Sequence, residues 1–222
     1  MNKVLSFVKL DLITIKPYLT WKQLLIFSFA PIALIINSAM TTATFTVFMI
    51  FGMFGMIFSG YPFAIGEKST IDSLYIVLSI KRNTVVFGRY IFVLIFNLFA
   101  VLFAYGLTFT AFVIQKQAFD FKQTLITMLI FFTVYTIIQA VQLPIMFKFG
   151  YAKAKFLVFL PFACIPAIIY LFGGKLSEKI SELFSWFAKN QSLGVMLAAA
   201  VWLALMTISY RISLSFYNKR DF

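Results

Sequence analysis

Few residues in this chain have the types and spacing that chemistry requires. The stretch Gly66-Glu67-Lys68-Ser69-Thr70 comes nearest to a phosphate-cradling loop, which needs a glycine, four residues, then Gly-Lys-Ser/Thr in direct succession. Glu67 interrupts that order and no strand pattern precedes it, so ATP binding by this chain alone is not expected. Histidine is absent, which removes His-ligated zinc, imidazole proton relays and every Ser–His or Cys–His nucleophile pair. Cys164 is the single cysteine, set in an apolar run between Pro161 and Pro166. It makes neither an internal disulfide nor a metal cluster. The 7 acidic residues all fall outside the runs long enough to cross a bilayer. The expectation is a non-catalytic chain that binds no metal or cofactor of its own.

What must position the remaining polar residues is a set of apolar helices. The chain is 62% hydrophobic and 12% charged over 222 residues, against about 45–50% apolar and about 25% charged for soluble domains. One core cannot bury that surplus. The reading is an all-α polytopic membrane protein with a single transmembrane domain over residues 1–222. A spanning helix needs about 20 mostly apolar residues. Six segments qualify, at roughly 24–40, 45–65, 90–114, 124–147, 156–172 and 193–212. An even count puts both termini on one side. The net charge of +12 is not a nucleic-acid footprint, because the basic residues lie between apolar runs rather than on one folded face. Lys3, Lys9, Lys16, Lys22, Lys68, Lys81, Arg82, Arg89, Lys148, Lys153, Lys155, Arg211, Lys219 and Arg220 fall on the side of the termini. Lys116, Lys122, Lys175, Lys179 and Lys189 fall opposite. By the positive-inside rule the termini and the 66–89 and 148–155 connections are cytoplasmic.

Two amphipathic segments flank the spans. Residues 3–16 read as an interfacial helix with Val4, Leu5, Val8, Leu12 and Ile15 on one face and Asp11 as a blemish at its edge. Pro17 ends it. No cleavable signal peptide is evident, since Lys9, Asp11 and Lys16 interrupt the first apolar stretch. Residues 173–192 place Leu176, Ile180, Leu183, Phe184 and Phe187 on a second stripe, an external amphipathic helix. No ionisable group sits near the centre of any span, which argues against an ion channel or a proton-coupled carrier. Asn37, Asn97, Gln139 and Gln142 are the candidates for a cargo path. Gln139 and Gln142 share a helix face with Tyr135, where they either line a wet cleft or hydrogen-bond neighbouring helices. Gly52, Gly55 and Gly60 permit close helix contact.

The 66–89 connection holds the most informative pattern. Ser69-Thr70-Ile71-Asp72 approximates a helix-capping box, and Leu74-Tyr75-Ile76-Val77-Leu78 is apolar but too short to span. A short cytoplasmic helix with an exposed apolar edge at Leu74, Tyr75 and Leu78 is expected. The order Glu67, Leu78-Ser79-Ile80-Lys81-Arg82, Val85-Val86, Arg89-Tyr90 resembles the small six-span permeases of the ABC-2 type, as does Pro144-Ile145-Met146-Phe147-Lys148-Phe149-Gly150 at the end of the fourth span. The chain departs at Ser79, where the family has Pro. The resemblance implies a permease of an ATP-driven exporter in a bacterial inner or plasma membrane. It implies a second permease copy or a homologous permease, and separate ABC ATPase subunits that hold ATP and Mg. It assigns ATPase coupling to Glu67, Lys68, Asp72, Tyr75, Lys81, Arg82 and Arg89. The chain also resembles a subgroup that exports amphipathic cytolytic peptides, including phenol-soluble modulins, or gives immunity to antimicrobial peptides. An aromatic, uncharged conduit suits such a cargo. Alternatives are a peptide-immunity or lipid-handling membrane protein without ATPase coupling, including a lipid-modifying enzyme.

Overall fold

In hydrocarbon no water satisfies a backbone amide, so apolar runs of this length close their hydrogen bonds within helices. The computed structural model describes residues 3–20, 40–68, 80–158 and 191–220, with Lys22, Leu25, Pro31 and Tyr75. Among the described residues every element is helical. In chain order they are α1 (Lys3–Ile15), α2 (Met40–Ser59), α3 (Tyr61–Lys68), α4 (Arg82–Ile114), α5 (Phe121–Phe149), α6 (Tyr151–Ala154) and α7 (Gln191–Asn218). A short 3-10 turn follows α1 at Lys16–Tyr18, with Pro17 in its first turn. Another follows α6 at Lys155–Val158.

Four stretches are long and apolar enough to cross a membrane: Thr44–Glu67, Arg82–Ile114, Phe121–Phe149 and Leu193–Asn218, with mean hydropathies of 1.7, 2.3, 2.0 and 1.9. They correspond to the segments expected at 45–65, 90–114, 124–147 and 193–212. The segments expected at 24–40 and 156–172 lie almost wholly outside the described residues, as does the helix expected over 173–192.

One boundary differs from expectation by two helical turns. Charge ended the third span at residue 90, yet α4 begins at Arg82. Val85, Val86, Arg89, Tyr90, Phe92 and Val93 are all buried. That spacing is a helical core face, and packing carries the helix past the point where charge appears. At 33 residues α4 is roughly 50 Å long, well beyond the hydrocarbon thickness. It forms the centre of the bundle, packing against α1, α2, α5 and α7.

The face of α1 is also rotated from expectation. Phe7, Val8, Asp11 and Ile15 are buried, whereas Leu5 and Leu12 are exposed. The cause is steric fit. The Phe7 ring lies on Gly88 of α4, where a Cβ would come within 2.5 Å of it. Asp11, expected at the edge, is 2% exposed.

Aromatic rings fill the rest of the interior. Phe58 stacks on Phe96 at 6.0 Å and Phe51 meets Phe103 at 5.2 Å, joining α2 to α4 in antiparallel order. At the far end Phe119 of the α4–α5 connection packs on Phe109 and Phe121 at 5.2 and 4.7 Å. Asp120 caps α5 there, its Oδ1 accepting the Gln123 amide at 3.0 Å.

Candidate coupling site at one end of the bundle

The end of α3, the start of α4 and the end of α5 converge. Gly150 follows α5 with φ 79° and ψ 171°, a region essentially restricted to glycine. This conformation turns the chain sharply into α6 and aims the next amides back toward α3. The Glu67 carboxylate accepts the Ala152 amide at 2.9 Å. A Cβ on Gly150 would stand 3.1 Å from Glu67 Oε1. Gly150 is therefore required twice, by its backbone and by the carboxylate beside it.

Arg89 lies one layer deeper and is 2% exposed. Its guanidinium sits over the Phe63 ring at 4.4 Å and nearer the edge of the cation–π range over Phe147 at 5.9 Å. Phe63 and Phe147 meet edge to face at 4.9 Å, and Phe147 meets Tyr217 of α7 at 5.5 Å. One cation and three rings thus tie α3, α4, α5 and α7 together. On the same side the Tyr151 ring lies against Gly60, and its burial pushes the Tyr151 phenol above its usual range, with Tyr61 adding to the effect.

Arg82 serves the neighbouring helix end. Its Nη1 donates to the Tyr217 carbonyl at 3.2 Å and also to the Asn218 carbonyl. These carbonyls lie in the last turn of α7, where a cation suits the negative end of the helix dipole. Tyr210 of α7 donates its hydroxyl to Asn83 Oδ1, a second tie to the start of α4.

Tyr75 departs from the exposed edge expected of it. Its side chain is 4% exposed and meets Phe7 edge to face at 5.2 Å. Its carbonyl accepts the Ile80 amide at 2.9 Å. Tyr75 therefore packs onto α1 within the chain, and its ring is not a surface anchor. Lys81 is exposed at the start of α4. The structure brings Glu67, Arg89 and Arg82 to one end of the bundle with Tyr75. Asp72 and the side chain of Lys68 lie outside the described residues.

A family profile described as ABC-2 family transporter protein matches residues 6–218. The chain belongs to the ABC-2 transporter family. The match covers the seven described helices apart from the first residues of α1. It makes the chain a multi-pass membrane component of an ABC transporter, a class of transport subunit that is generally non-catalytic. The chain matches no curated protein and no solved structure.

Within the spans of this ABC-2 protein, one set of buried polar side chains is wired together across three helices. Asn97 of α4 donates to Gln139 Oε1 of α5 and to the Val93 carbonyl at 2.8 Å. Gln139 Nε2 donates to Ser59 Oγ of α2 at 2.8 Å, and Ser59 donates to the Met56 carbonyl at 2.8 Å. Gly55 makes room for Asn97, whose Oδ1 would stand 2.8 Å from a Cβ there. Tyr135 lies across Gly52 and donates to the Met49 carbonyl at 2.9 Å. Gln142 is 5% exposed. Asn37 lies outside the described residues.

One network was not expected from the sequence. Pro144 lies inside α5 and has no amide to give the Ala140 carbonyl one turn back. Ser209 of α7 supplies that bond at 2.5 Å. The Ser209 hydroxyl is shared with Tyr90 of α4, which also bonds Ser213 at 2.8 Å. Trp202 Nε1 adds a bond to Thr136 Oγ1 at 2.8 Å. The available signal was an interior proline facing a Ser-x-x-x-Ser repeat on another apolar helix.

Proposed function

We propose that this chain is the permease of an ATP-driven exporter in a bacterial cell membrane. It works beside a second copy or a homologous permease, with separate ABC ATPase subunits holding ATP and Mg²⁺. Six spans cross the membrane, both termini are cytoplasmic, and the cargo is an amphipathic or hydrophobic peptide. The observation that carries this reading is the convergence of Glu67, Arg89 and Gly150, the same positions whose spacing resembles the permease motifs.

A push on the segment between Glu67 and Arg82 would reach α3 through the Glu67–Ala152 bond and α7 through Arg82. The Phe7–Tyr75 contact would pass it to α1. In this reading Tyr75 relays the motion from inside, and exposed Lys81 faces the ATPase. The Asn97–Gln139–Ser59 layer braces three spans, and the aromatic interior suits an apolar cargo surface.

Affinity purification of the tagged permease from its own membranes tests the reading. An ABC ATPase should co-purify, and Lys81→Glu should lower its recovery about tenfold by reversing a docking charge. Lys116→Glu at the opposite end should leave recovery unchanged. Equal recovery with both variants would remove the docking end from this part of the chain.

A further inference from the structure

Part of the apolar surface of α1 is not used by its contact with α4. Leu12 and Ile13 stay 42% and 59% exposed beside the buried seam. With Ile15, Leu19 and Phe96 they line a groove of about 290 Å³ between α1 and α4. Lys9 and Lys16 complete its lining. Seven residues apart, the two lysines project from the same side of the helix, two turns from each other. Asp11, the acid of α1, is buried. Among the described residues, Lys9 and Lys16 form no ion pair with an acid.

We infer that this groove holds an acidic phospholipid, with its phosphate between Lys9 and Lys16 and an acyl chain along Leu12, Ile13, Leu19 and Phe96. Two features fix the class of ligand. A small soluble anion would satisfy the lysines and leave the apolar floor in water. A zwitterionic lipid or a cationic peptide would satisfy the floor but bring a positive charge toward two ammonium groups. An acidic lipid meets both demands, and basic pockets beside membrane helices recognise such headgroups. The bound lipid would fasten α1 to α4 from outside, complementing the Phe7 contact on Gly88. The inference requires a membrane and does not depend on ATPase coupling.

Native mass spectrometry of the full-length permease in neutral detergent tests it, with phosphatidylglycerol or phosphatidylcholine of matched chains added. The wild-type chain should retain phosphatidylglycerol at least tenfold better. Lys9→Gln with Lys16→Gln should abolish most of that preference, and Lys9→Arg with Lys16→Arg should keep it. Ile13→Asn should weaken retention of the acidic lipid while both lysines remain. These positions are exposed, so melting temperatures measured without added lipid should stay unchanged in each variant. Equal retention of the two lipids, a preference that survives Lys9→Gln/Lys16→Gln, or full displacement by glycerol phosphate alone would overturn the inference. Displacement by an acidic amphipathic peptide at lower concentration than the lipid would assign the groove to peptide instead.

Discussion

Gly150 carries two constraints that no other residue type meets together, and it shows what single positions contribute. Its φ and ψ cost an L-residue about 1–3 kcal/mol before any contact is considered. Gly150→Ala should therefore lower the thermal stability of the purified chain by about that amount. Removing the neighbouring carboxylate with Glu67→Ala should not restore it, since the strain lies in the backbone. Full restoration by Glu67→Ala would mean that the Cβ contact, not the dihedral angles, decides. Arg89 tests a different property. Its planar guanidinium stacks on Phe63, and Lys presents only a compact charge. Arg89→Lys should lose about 1 kcal/mol of stability despite keeping the charge, and an unchanged melting temperature would reduce Arg89 to a charge alone. The sequence disclosed both residues through spacing, because Glu67, Arg89 and Gly150 stand where the permease motifs have them. It did not disclose that Arg89 is buried. A charge at the end of an apolar run reads as solvent-exposed unless the rings that cover it are known.

At the scale of elements, Pro144 explains why α5 and α7 are held by hydroxyls. The proline frees the Ala140 carbonyl, and Ser209 satisfies it. Ser209→Ala should cost about 1–3 kcal/mol by leaving a buried acceptor without a partner. In a Pro144→Ala background the helix supplies its own amide, so the same substitution should cost about 1 kcal/mol less. A double-mutant cycle on thermal stability measures that difference, and strict additivity would break the link between the proline and the serine. The helical element type and the positions of the four described spans were legible because apolar length is a strong signal. The start of α4 and the buried face of α1 were not. Both depend on a neighbour, since Arg82–Arg89 is helical through packing, and Phe7 turns inward because Gly88 leaves a hollow for its ring.

The whole molecule is a bundle whose helices are tied at the Glu67 end and capped by aromatic rings at the Phe119 end. In the proposed topology, positive-inside asymmetry puts the Glu67 end on the cytoplasmic side. In a Cys164→Ser background, Lys153→Cys should resist an impermeant thiol reagent in intact cells, whereas Gln117→Cys should label. The opposite pattern would invert the orientation and separate the tied end from any cytoplasmic ATPase. The family and its multi-pass character were readable from motif order and composition, but Tyr75 was read as a surface anchor and instead packs on Phe7. Its burial could not be seen from a short apolar run without knowing where α1 lies.

In the proposed mechanism, ATP hydrolysed on a separate subunit drives this chain through its tied end. The direct measurement is ATP hydrolysis and amphipathic-peptide movement in vesicles reconstituted with the permease and its co-purifying ATPase, wild type against Glu67→Gln. Weakening the bond to Ala152 should leave the complex assembled and ATP hydrolysis within about twofold, while peptide moved per ATP falls about tenfold. Peptide transport unchanged in Glu67→Gln, or equally rapid without any ATPase present, would show that the tied end does not couple ATP hydrolysis to transport.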